Sequence, residues 1–167
     1  MAERRGFRGY IASRPVRGTT TPQRVQNLVI RDYCARRGLA YLVSSAEYAM
    51  PDCFMMLENV LAELPKIEGI AAFSAFMLPA DSSRRREIYG RVLKAGATFH
   101  AALENLALRT KEDIEPLEDL LSSAFLLELV PFAGRYEKTE RSLAEGDDRF
   151  TRALLAGEAA SPVTERM

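Results

Sequence analysis

Short apolar runs alternate with longer amphipathic segments through the first 130 residues of the chain. Runs of strand length lie at residues 10–13, 40–44, 70–76 and 98–103, and helical periodicity follows them at 22–38, 52–64, 82–95 and 111–129. Strands that alternate with such helices pair in parallel through right-handed crossovers. The pattern therefore predicts an α/β fold, a three-layer α/β/α sandwich around a mainly parallel sheet of four or five strands.

The same pattern predicts how individual elements are capped and buried. Hydroxyl groups of residues 19–21 should cap the first helix, Asp52 the second, and Asp81 or Ser82 the third. The apolar stripe of the first helix is predicted to consist of Val25, Leu28, Val29 and Tyr33. The run AYLVS at 40–44 has the composition of a strand that is buried on both faces.

Length and composition limit the organisation of the chain and its partners. At 167 residues, the chain is predicted to form a single α/β domain over 1–130 and a polar C-terminal extension over 131–167. Lysine plus arginine and aspartate plus glutamate both total 23, which argues against a dedicated nucleic-acid binder. No apolar run reaches the roughly 20 residues of a membrane span, and the start MAERRGFRGY lacks the apolar centre of a secretory signal. A cytoplasmic protein without membrane or nucleic-acid partners is expected.

Polar residues lie at or just after the end of each predicted strand, and in a parallel sheet these positions meet along one edge. They are Ser13 and Arg14, then Ser44, Ser45, Glu47 and Tyr48, then Ser74, and then Glu104 and Asn105. Loops are polar in any case, because buried loops would leave backbone groups unpaired. The alternative interpretation is a ligand site that combines hydroxyl groups, a guanidinium and two carboxylates.

The turn after the first strand is the predicted anion site. Arg14 and Arg17 lie there beside a helix start, where unpaired N–H groups favour a phosphate. Glu47, Glu104 and Ser13 are the candidate catalytic residues, with the two carboxylates as acid or base. The remaining substrate-binding candidates are Thr21, Gln23, Gln26, Asn27, Tyr48 and Ser74.

Most sequence motifs of known chemistry are missing. The chain has no GxGxxG, no P-loop and no GxSxG, and its single histidine, His100, has no histidine partner for a metal. His100 is interpreted as a hydrogen-bonded core residue, and Cys34 and Cys53 as buried thiols. No metal and no cofactor is predicted. Residues 84–86 form an arginine run, which is either a solvated face or an anion-contacting patch.

Residues 9–129 resemble the catalytic domain of resolvase-type serine recombinases. GYIASRP resembles that family's Y-x-R-V-S strand end, DCFMMLENVLAEL its helix after the second strand, and IEGIAAFSAFMLPAD its D-G-I-V-V-x-x-L-D-R-L-x-R-D segment. The family's acidic residue and arginines fall here on Phe76, Met77, Ala80 and Ala12. A resolvase-like or flavodoxin-like fold is implied, but the groups that would support DNA recombination are replaced.

A longer resemblance covers about 120 residues. The segments GYIASRP, TPQRVQNLVIRDYC, SSAEYAMPDCFMMLENVL and IEGIAAFSAFMLP are similar to those of the sporadic carbohydrate cluster family. These small proteins are encoded among bacterial genes for surface polysaccharide and sugar biosynthesis. The resemblance implies a role in carbohydrate biosynthesis and gives no mechanism.

Three functional hypotheses follow from these observations. The first is a metal-independent enzyme, of isomerase, lyase or transferase type, that acts on a phosphorylated or nucleotide-linked sugar. The second is a non-catalytic subunit or scaffold that binds such a sugar or a partner enzyme. The third and weakest is DNA recombination. A homo-oligomer through the helix at 111–129 is also predicted, because its leucines cover more than one helix face.

Overall fold

The computed structural model describes residues 4–129, and the C-terminal extension predicted at 131–167 lies outside them. The strands are β1 (Phe7–Ala12), β2 (Tyr41–Glu47), β3 (Gly69–Ala72), β4 (Thr98–Ala101) and β5 (Leu106–Leu108). The helices are α1 (Gln23–Arg36), α2 (Met55–Ala62), α3 (Ser82–Lys94) and α4 (Ile114–Leu129). Short 3-10 turns at Ala75–Met77 and Lys111–Asp113 precede α3 and α4. The described residues up to Phe125 form one compact unit.

The five strands form one sheet in the order β2-β1-β3-β4-β5. The first four strands pair in parallel, and β5 pairs with β4 antiparallel. This confirms the predicted α/β class and a mainly parallel sheet. The third apolar run was predicted as one strand over 70–76, but it divides into β3 and the 3-10 turn at Ala75–Met77. The carboxyl ends of β1 to β4 therefore meet along one edge of the sheet.

Helix α1 is rotated relative to its predicted orientation. Its buried residues are Gln26, Ile30, Tyr33 and Cys34. Val25 and Leu28 are exposed, so the predicted apolar stripe is wrong apart from Tyr33 and the half-buried Val29. The reason is Gln26, which is completely buried, accepts a 3.0 Å hydrogen bond from the Ala12 N–H and donates a 2.8 Å hydrogen bond to the Ala12 carbonyl. A buried amide that is satisfied in this way fixes the rotation of the helix.

Strand β2 lies at the edge of the sheet and is not buried on both faces as predicted. Most of its residues are half-exposed, and Val43 is 71% exposed. The composition of AYLVS is typical of a central strand, but only the sheet order shows which strand is terminal. Glu47, the last residue of β2, is its one buried position.

The helix caps agree with the prediction in one case of three. Asp81 caps α3 by accepting a 2.7 Å hydrogen bond from the Arg84 N–H. Helix α1 begins after Pro22, and no hydroxyl of residues 19–21 bonds its first turn. Asp52 does not cap α2 either, because its backbone turns into the left-handed region (φ 54°) two residues before the cap position at Phe54. The first turn of α2 is instead bonded by a side chain from β2.

Candidate functional site

Arg14 connects three loops at the carboxyl edge of the sheet. It follows β1, and its guanidinium donates hydrogen bonds to the carbonyl oxygens of Cys53 (2.7 Å) and Met77 (3.4 Å). Its Cζ atom also lies 4.8 Å from the centroid of the Phe54 ring, at the start of α2. Arg14 is half-buried. The predicted phosphate-binding arginine therefore also joins β1 to the loops before α2 and α3.

Arg84 approaches the same aromatic ring from the first turn of α3. Its Cζ atom lies 4.8 Å from the Phe54 centroid, so the two guanidinium carbons are at most twice that distance apart. Among the described residues, neither Arg14 nor Arg84 has a carboxylate partner within 4 Å. Two cations held this close, with no counter-charge between them, favour an anion. We define Arg14, Arg84 and Phe54 as the arginine pair site.

Arg84 is only partly predictable from the sequence. The run at 84–86 was interpreted either as a solvated face or as an anion-contacting patch, and its three members have different environments. Arg85 is 2% exposed and pairs with Glu118, while exposed Arg86 pairs with Glu115. Arg84 alone reaches the carboxyl edge of the sheet. Residue type cannot distinguish these roles, because successive helix positions point about 100° apart.

A tight turn places Arg17 near the same edge. The backbones of Val16 and Thr19 exchange hydrogen bonds of 2.9 and 3.1 Å, and the residues between them have positive φ, 49° at Arg17 and 72° at Gly18. This pattern is that of a type I′ hairpin turn. The Arg17 guanidinium lies 4.7 Å from the centroid of the Phe76 ring. Phe76 precedes Met77, whose carbonyl Arg14 contacts, so Arg17 belongs to the surroundings of the arginine pair site.

Glu47 is completely buried, and its carboxylate is surrounded by donors. Oε2 accepts hydrogen bonds from the Tyr10 hydroxyl (3.1 Å) and from the Leu57 N–H (3.0 Å). The Met56 N–H donates to both oxygens, and the Tyr48 N–H donates to Oε1 at 3.1 Å. Burial alone would raise the pKa of Glu47, but these hydrogen bonds outweigh it and hold the pKa below its ordinary value. Glu47 thus replaces the missing cap of α2 and offers no free oxygen to a substrate.

Glu104 and Ser74 are brought together, as their strand-end positions predict. The Ser74 hydroxyl donates a 2.5 Å hydrogen bond to Glu104 Oε1, and the Ala75 N–H donates to Oε2 at 2.9 Å. Ser74 Oγ also accepts from the Phe76 N–H at 3.1 Å. Ser74 is fully buried, whereas Glu104 is half-buried. The pair fixes the β4–β5 turn against the end of β3, and Glu104 keeps part of its surface in contact with solvent.

The remaining predicted substrate-binding residues divide into engaged and accessible side chains. Gln26 bonds the main chain at Ala12 and the carbonyl of Thr21, and Asn27 accepts a 3.1 Å hydrogen bond from the Tyr41 hydroxyl. Gln23 donates a 2.7 Å hydrogen bond to Ser13 Oγ, and both residues are exposed. The Tyr48 side chain is 51% exposed. Ser13, Gln23 and Tyr48 are therefore the predicted polar residues that solvent reaches beside the arginines.

The structure confirms that His100 is a core residue. It is 2% exposed, with Nδ1 2.9 Å from the Tyr33 hydroxyl and Nε2 3.0 Å from Thr98 Oγ1. Burial, together with Arg109 and Arg37, lowers the pKa of His100 to about 4, so the ring is neutral at pH 7. Cys34 and Cys53 are free and buried, as predicted. Within residues 4–129, no three His, Cys, Asp or Glu side chains are grouped as metal ligands.

Comparison of the chain with known protein families, with curated proteins and with solved structures gives no match. The resemblances to the sporadic carbohydrate cluster family and to serine recombinases therefore stay predictions. In the part of the chain that the structure describes, none of the helices has the length and apolar character needed to cross a membrane.

Proposed function

We propose that the protein binds a phosphorylated or nucleotide-linked sugar at the carboxyl edge of its sheet, with the phosphate at the arginine pair site. The observation that carries this proposal is that the guanidinium carbons of Arg14 and Arg84 both lie 4.8 Å from the centroid of the same ring, that of Phe54. Neither arginine has a carboxylate partner in the described chain. A phosphate offers each a charge-assisted hydrogen bond.

The sheet order supports this location. We interpret the fold as a three-layer α/β/α sandwich of the doubly wound kind, since the order 2-1-3-4-5 is also that of flavodoxin-like sheets. In such sheets the ligand lies beyond the carboxyl ends of the strands, at the point where the strand order reverses, here between β1 and β3. Arg14 follows β1, and Arg84 lies in the helix that follows β3. A ligand at the reversal point would thus contact both arginines.

The sugar is assigned to the accessible polar residues around that point. Ser13, Gln23 and Tyr48 carry donors and acceptors of the kind that bind hydroxyl groups, and all three are exposed. Arg17, on the hairpin turn, would contact a second phosphate or the outer part of a nucleotide. The choice of a sugar as the phosphorylated ligand rests on the resemblance of the sequence to the sporadic carbohydrate cluster family.

A second candidate, a non-catalytic subunit that holds such a ligand or a partner enzyme, is favoured by the state of the carboxylates. Glu47 has no free oxygen, and Glu104 is tied to Ser74 and Ala75. An enzyme would rely on the exposed part of Glu104 or on Ser13. We therefore propose binding as the function and leave the metal-independent sugar-modifying reaction as its extension. DNA recombination stays the weakest hypothesis, and a homo-oligomer through α4 stays a prediction.

Calorimetric titration with a panel of sugar phosphates and nucleotide sugars tests the binding proposal. Arg84→Ala is the sharpest variant, because Arg84 is exposed and its guanidinium bonds no main-chain carbonyl of residues 4–129. Arg31→Ala is the matched control, since Arg31 on α1 is exposed and also lies over an aromatic ring, with its Cζ atom 5.8 Å from the centroid of the Tyr41 ring. Loss of a charge-assisted hydrogen bond should cost about 1.5 to 3 kcal/mol of binding free energy in Arg84→Ala only.

The outcomes separate the hypotheses. If Arg84→Ala and Arg31→Ala bind the ligand as tightly as the unaltered chain, the phosphate does not lie at the arginine pair site. If no member of the panel binds, the proposal is rejected and the scaffold for a partner enzyme becomes the leading hypothesis. Phosphorus NMR of a bound sugar over time distinguishes an enzyme from a binding subunit, because only an enzyme produces a new resonance.

A further inference from the structure

A groove of about 510 Å³ lies at the opposite, amino-terminal edge of the sheet, away from the arginine pair site. It is bounded by the start of β1, the start of β2 and the segment between α2 and β3. Its apolar lining consists of Leu42, Val43 and Ile67. Ile67 is 3% exposed and belongs to the core, whereas Val43 is 71% exposed. The groove thus joins the core to an uncovered apolar side chain on the edge strand.

A β-bulge shapes this groove. Phe7 lies opposite Tyr41 and Gly9 opposite Ser44, so Leu42 and Val43 together face Arg8 alone. Such bulges are common at sheet edges and next to binding sites, where they redirect side chains. The Arg8 guanidinium fills the gap in the ladder by donating a 3.1 Å hydrogen bond to the Val43 carbonyl. Glu63 holds that guanidinium through hydrogen bonds of 2.9 and 2.7 Å.

Two further cations line the groove without a counter-charge. The Arg5 N–H donates a 3.0 Å hydrogen bond to the Lys66 carbonyl, which fixes these two residues beside each other. Gly6 sets the chain path, because its φ is 43° and a Cβ there would lie 2.3 Å from the Ala40 oxygen. In the described chain, Arg5 and Lys66 are exposed and have no carboxylate within 4 Å. Since Glu63 is bound to Arg8, the groove carries a net positive charge.

The backbone of β2 is open on its outer side. Within residues 4–129, β2 pairs with β1 alone and is the terminal strand of the sheet. A terminal strand presents unpaired N–H and C=O groups that can bond another extended chain. The apolar lining of the groove, its positive charge and the open backbone edge of β2 therefore lie next to one another at the start of β2.

We propose that this groove binds an extended acidic peptide segment of a partner protein, which adds to the edge of β2. The main chain of the segment bonds β2, an apolar side chain packs on Leu42, Val43 and Ile67, and carboxylates pair with Arg5 and Lys66. A second copy of β2 fits less well. It brings no exposed carboxylate, because Glu47 is buried. This inference is independent of the sugar-phosphate site, which lies at the other edge of the sheet.

The test uses the full chain and a fluorescein-labelled peptide of sequence Asp-Val-Glu-Val-Asp-Val, measured by fluorescence anisotropy. The matched peptide has lysine in place of each acidic residue. The charge variant is Arg5→Ala/Lys66→Ala, and its control is Arg31→Ala/Lys94→Ala, which removes two exposed cations elsewhere. Val43→Thr keeps the β-branched shape of the strand residue and removes apolar surface from the groove.

The acidic peptide should bind and the lysine peptide should not. Arg5→Ala/Lys66→Ala should weaken binding about tenfold or more, Val43→Thr should weaken it by a smaller factor, and the control should have no effect. Amide NMR shifts should be concentrated in β2 and near Ile67. Equal binding of both peptides, unaltered binding to the charge variant, no binding at all, or shifts confined to other elements would each overturn the proposal. A dimer in sedimentation that Val43→Thr dissociates would assign the groove to a second copy instead.

Discussion

Two carboxylates are buried in the described part of the chain, and the two regions that hold them satisfy the charge in different ways. Glu47, between β2 and α2, accepts hydrogen bonds from three backbone N–H groups and the Tyr10 hydroxyl, without a cationic partner. Glu118, on α4, pairs with the buried guanidinium of Arg85 and also accepts from Ser82 and Tyr89. Both arrangements leave no buried polar side-chain atom unpaired among residues 4–129.

The difference decides which arginines are available to a ligand. In the α3–α4 region, the Arg85 guanidinium pairs with Glu118 and donates hydrogen bonds to the carbonyls of Pro79 and Ala80, at 3.0 and 2.6 Å, so it is not available to a ligand. In the β2–α2 region the helix N-terminus supplies the donors, so no arginine is needed for Glu47. Arg14 and Arg84, which lie over the Phe54 ring at the start of α2, are therefore not needed to neutralise Glu47 and keep their charges for another anion. The proposed site follows from this local separation of charges.

Removing the Glu118 carboxylate should have the largest effect on stability. Glu118→Ala leaves the buried Arg85 without its counter-charge, and breaking a buried ion pair in this way costs about 3 to 5 kcal/mol of unfolding free energy. Urea denaturation measures the loss. The control is the double variant Arg85→Met/Glu118→Leu, which fills the space with apolar side chains and should recover most of the stability. If Glu118→Ala were as stable as the parent, the Arg85–Glu118 ion pair would not be formed in solution.

The α3–α4 region should also make stability depend on pH. Burial would raise the pKa of Glu118, but its hydrogen bonds with Arg85, Ser82 and Tyr89 lower the pKa to about 2, from an ordinary value of 4.5. The carboxylate thus contributes about 3 kcal/mol above pH 4.5, and this contribution is lost as the pH falls towards 2. Denaturation across this range should show a steeper loss of stability in the parent than in Glu118→Gln, which keeps the part of the slope that the lowered pKa of Glu47 contributes. Parallel curves would contradict the assignment.

His100 provides a separate pH window in the same experiment. Burial lowers the pKa of His100 from 6.5 to about 4, so the unfolded chain takes up a proton that the folded chain does not. Stability is full above pH 6.5 and should fall by about 3 kcal/mol as the pH drops from 6.5 to 4. His100→Gln should remove this part of the slope and leave the Glu118 part unchanged. A slope that both variants share would mean that other groups titrate.

Glu47→Gln should have a smaller effect than Glu118→Ala, because no buried cation is exposed by the change. In the variant, an NH₂ donor replaces a carboxylate oxygen that accepts from Tyr10, Met56 or Leu57, so donor faces donor. An unsatisfied buried group of this kind costs about 1 to 3 kcal/mol of unfolding free energy. Hydrogen exchange should show faster opening at the start of α2, while α4 keeps its protection. Equal losses in both helices would remove the distinction between the two regions.

The smallest predicted effect separates the two arginines at the site. Arg14→Ala removes two hydrogen bonds to main-chain carbonyls and should cost about 1 to 2 kcal/mol of stability. Exposed Arg84→Ala should change stability by less than about 0.5 kcal/mol. Thermal unfolding of both variants checks this order. If Arg84→Ala proved the more destabilising, its role would be structural, and the binding experiment would need Arg84→Lys in its place.

Hydrophobic periodicity located the four helices and the four parallel strands, but it did not locate β5 or predict the orientation of every helix. The segment predicted as a helix at 52–64 buries Phe54, Leu57, Val60, Leu61 and Leu64, which recur at helical spacing. Helix α1 does not follow its apolar stripe, because one buried glutamine, Gln26, bonds the end of β1. Periodicity considers only apolar character, so it cannot predict that a polar side chain is buried because it bonds two main-chain groups. The same limit applies to Arg85, which the sequence could not separate from Arg84 and Arg86.

The sequence by itself determined the α/β class, the mainly parallel sheet, the strand-end residues that meet at its carboxyl edge, and the place of His100 in the core. These features depend on alternation along the chain and on the general geometry of parallel strands. Tertiary structure alone decided that β2 is the edge strand, that Glu47 serves as the cap of α2, and that Arg14 and Arg84 share the Phe54 ring. Each of these depends on partners far apart in the chain, and the free energy of a charge depends on its neighbours in space rather than in sequence.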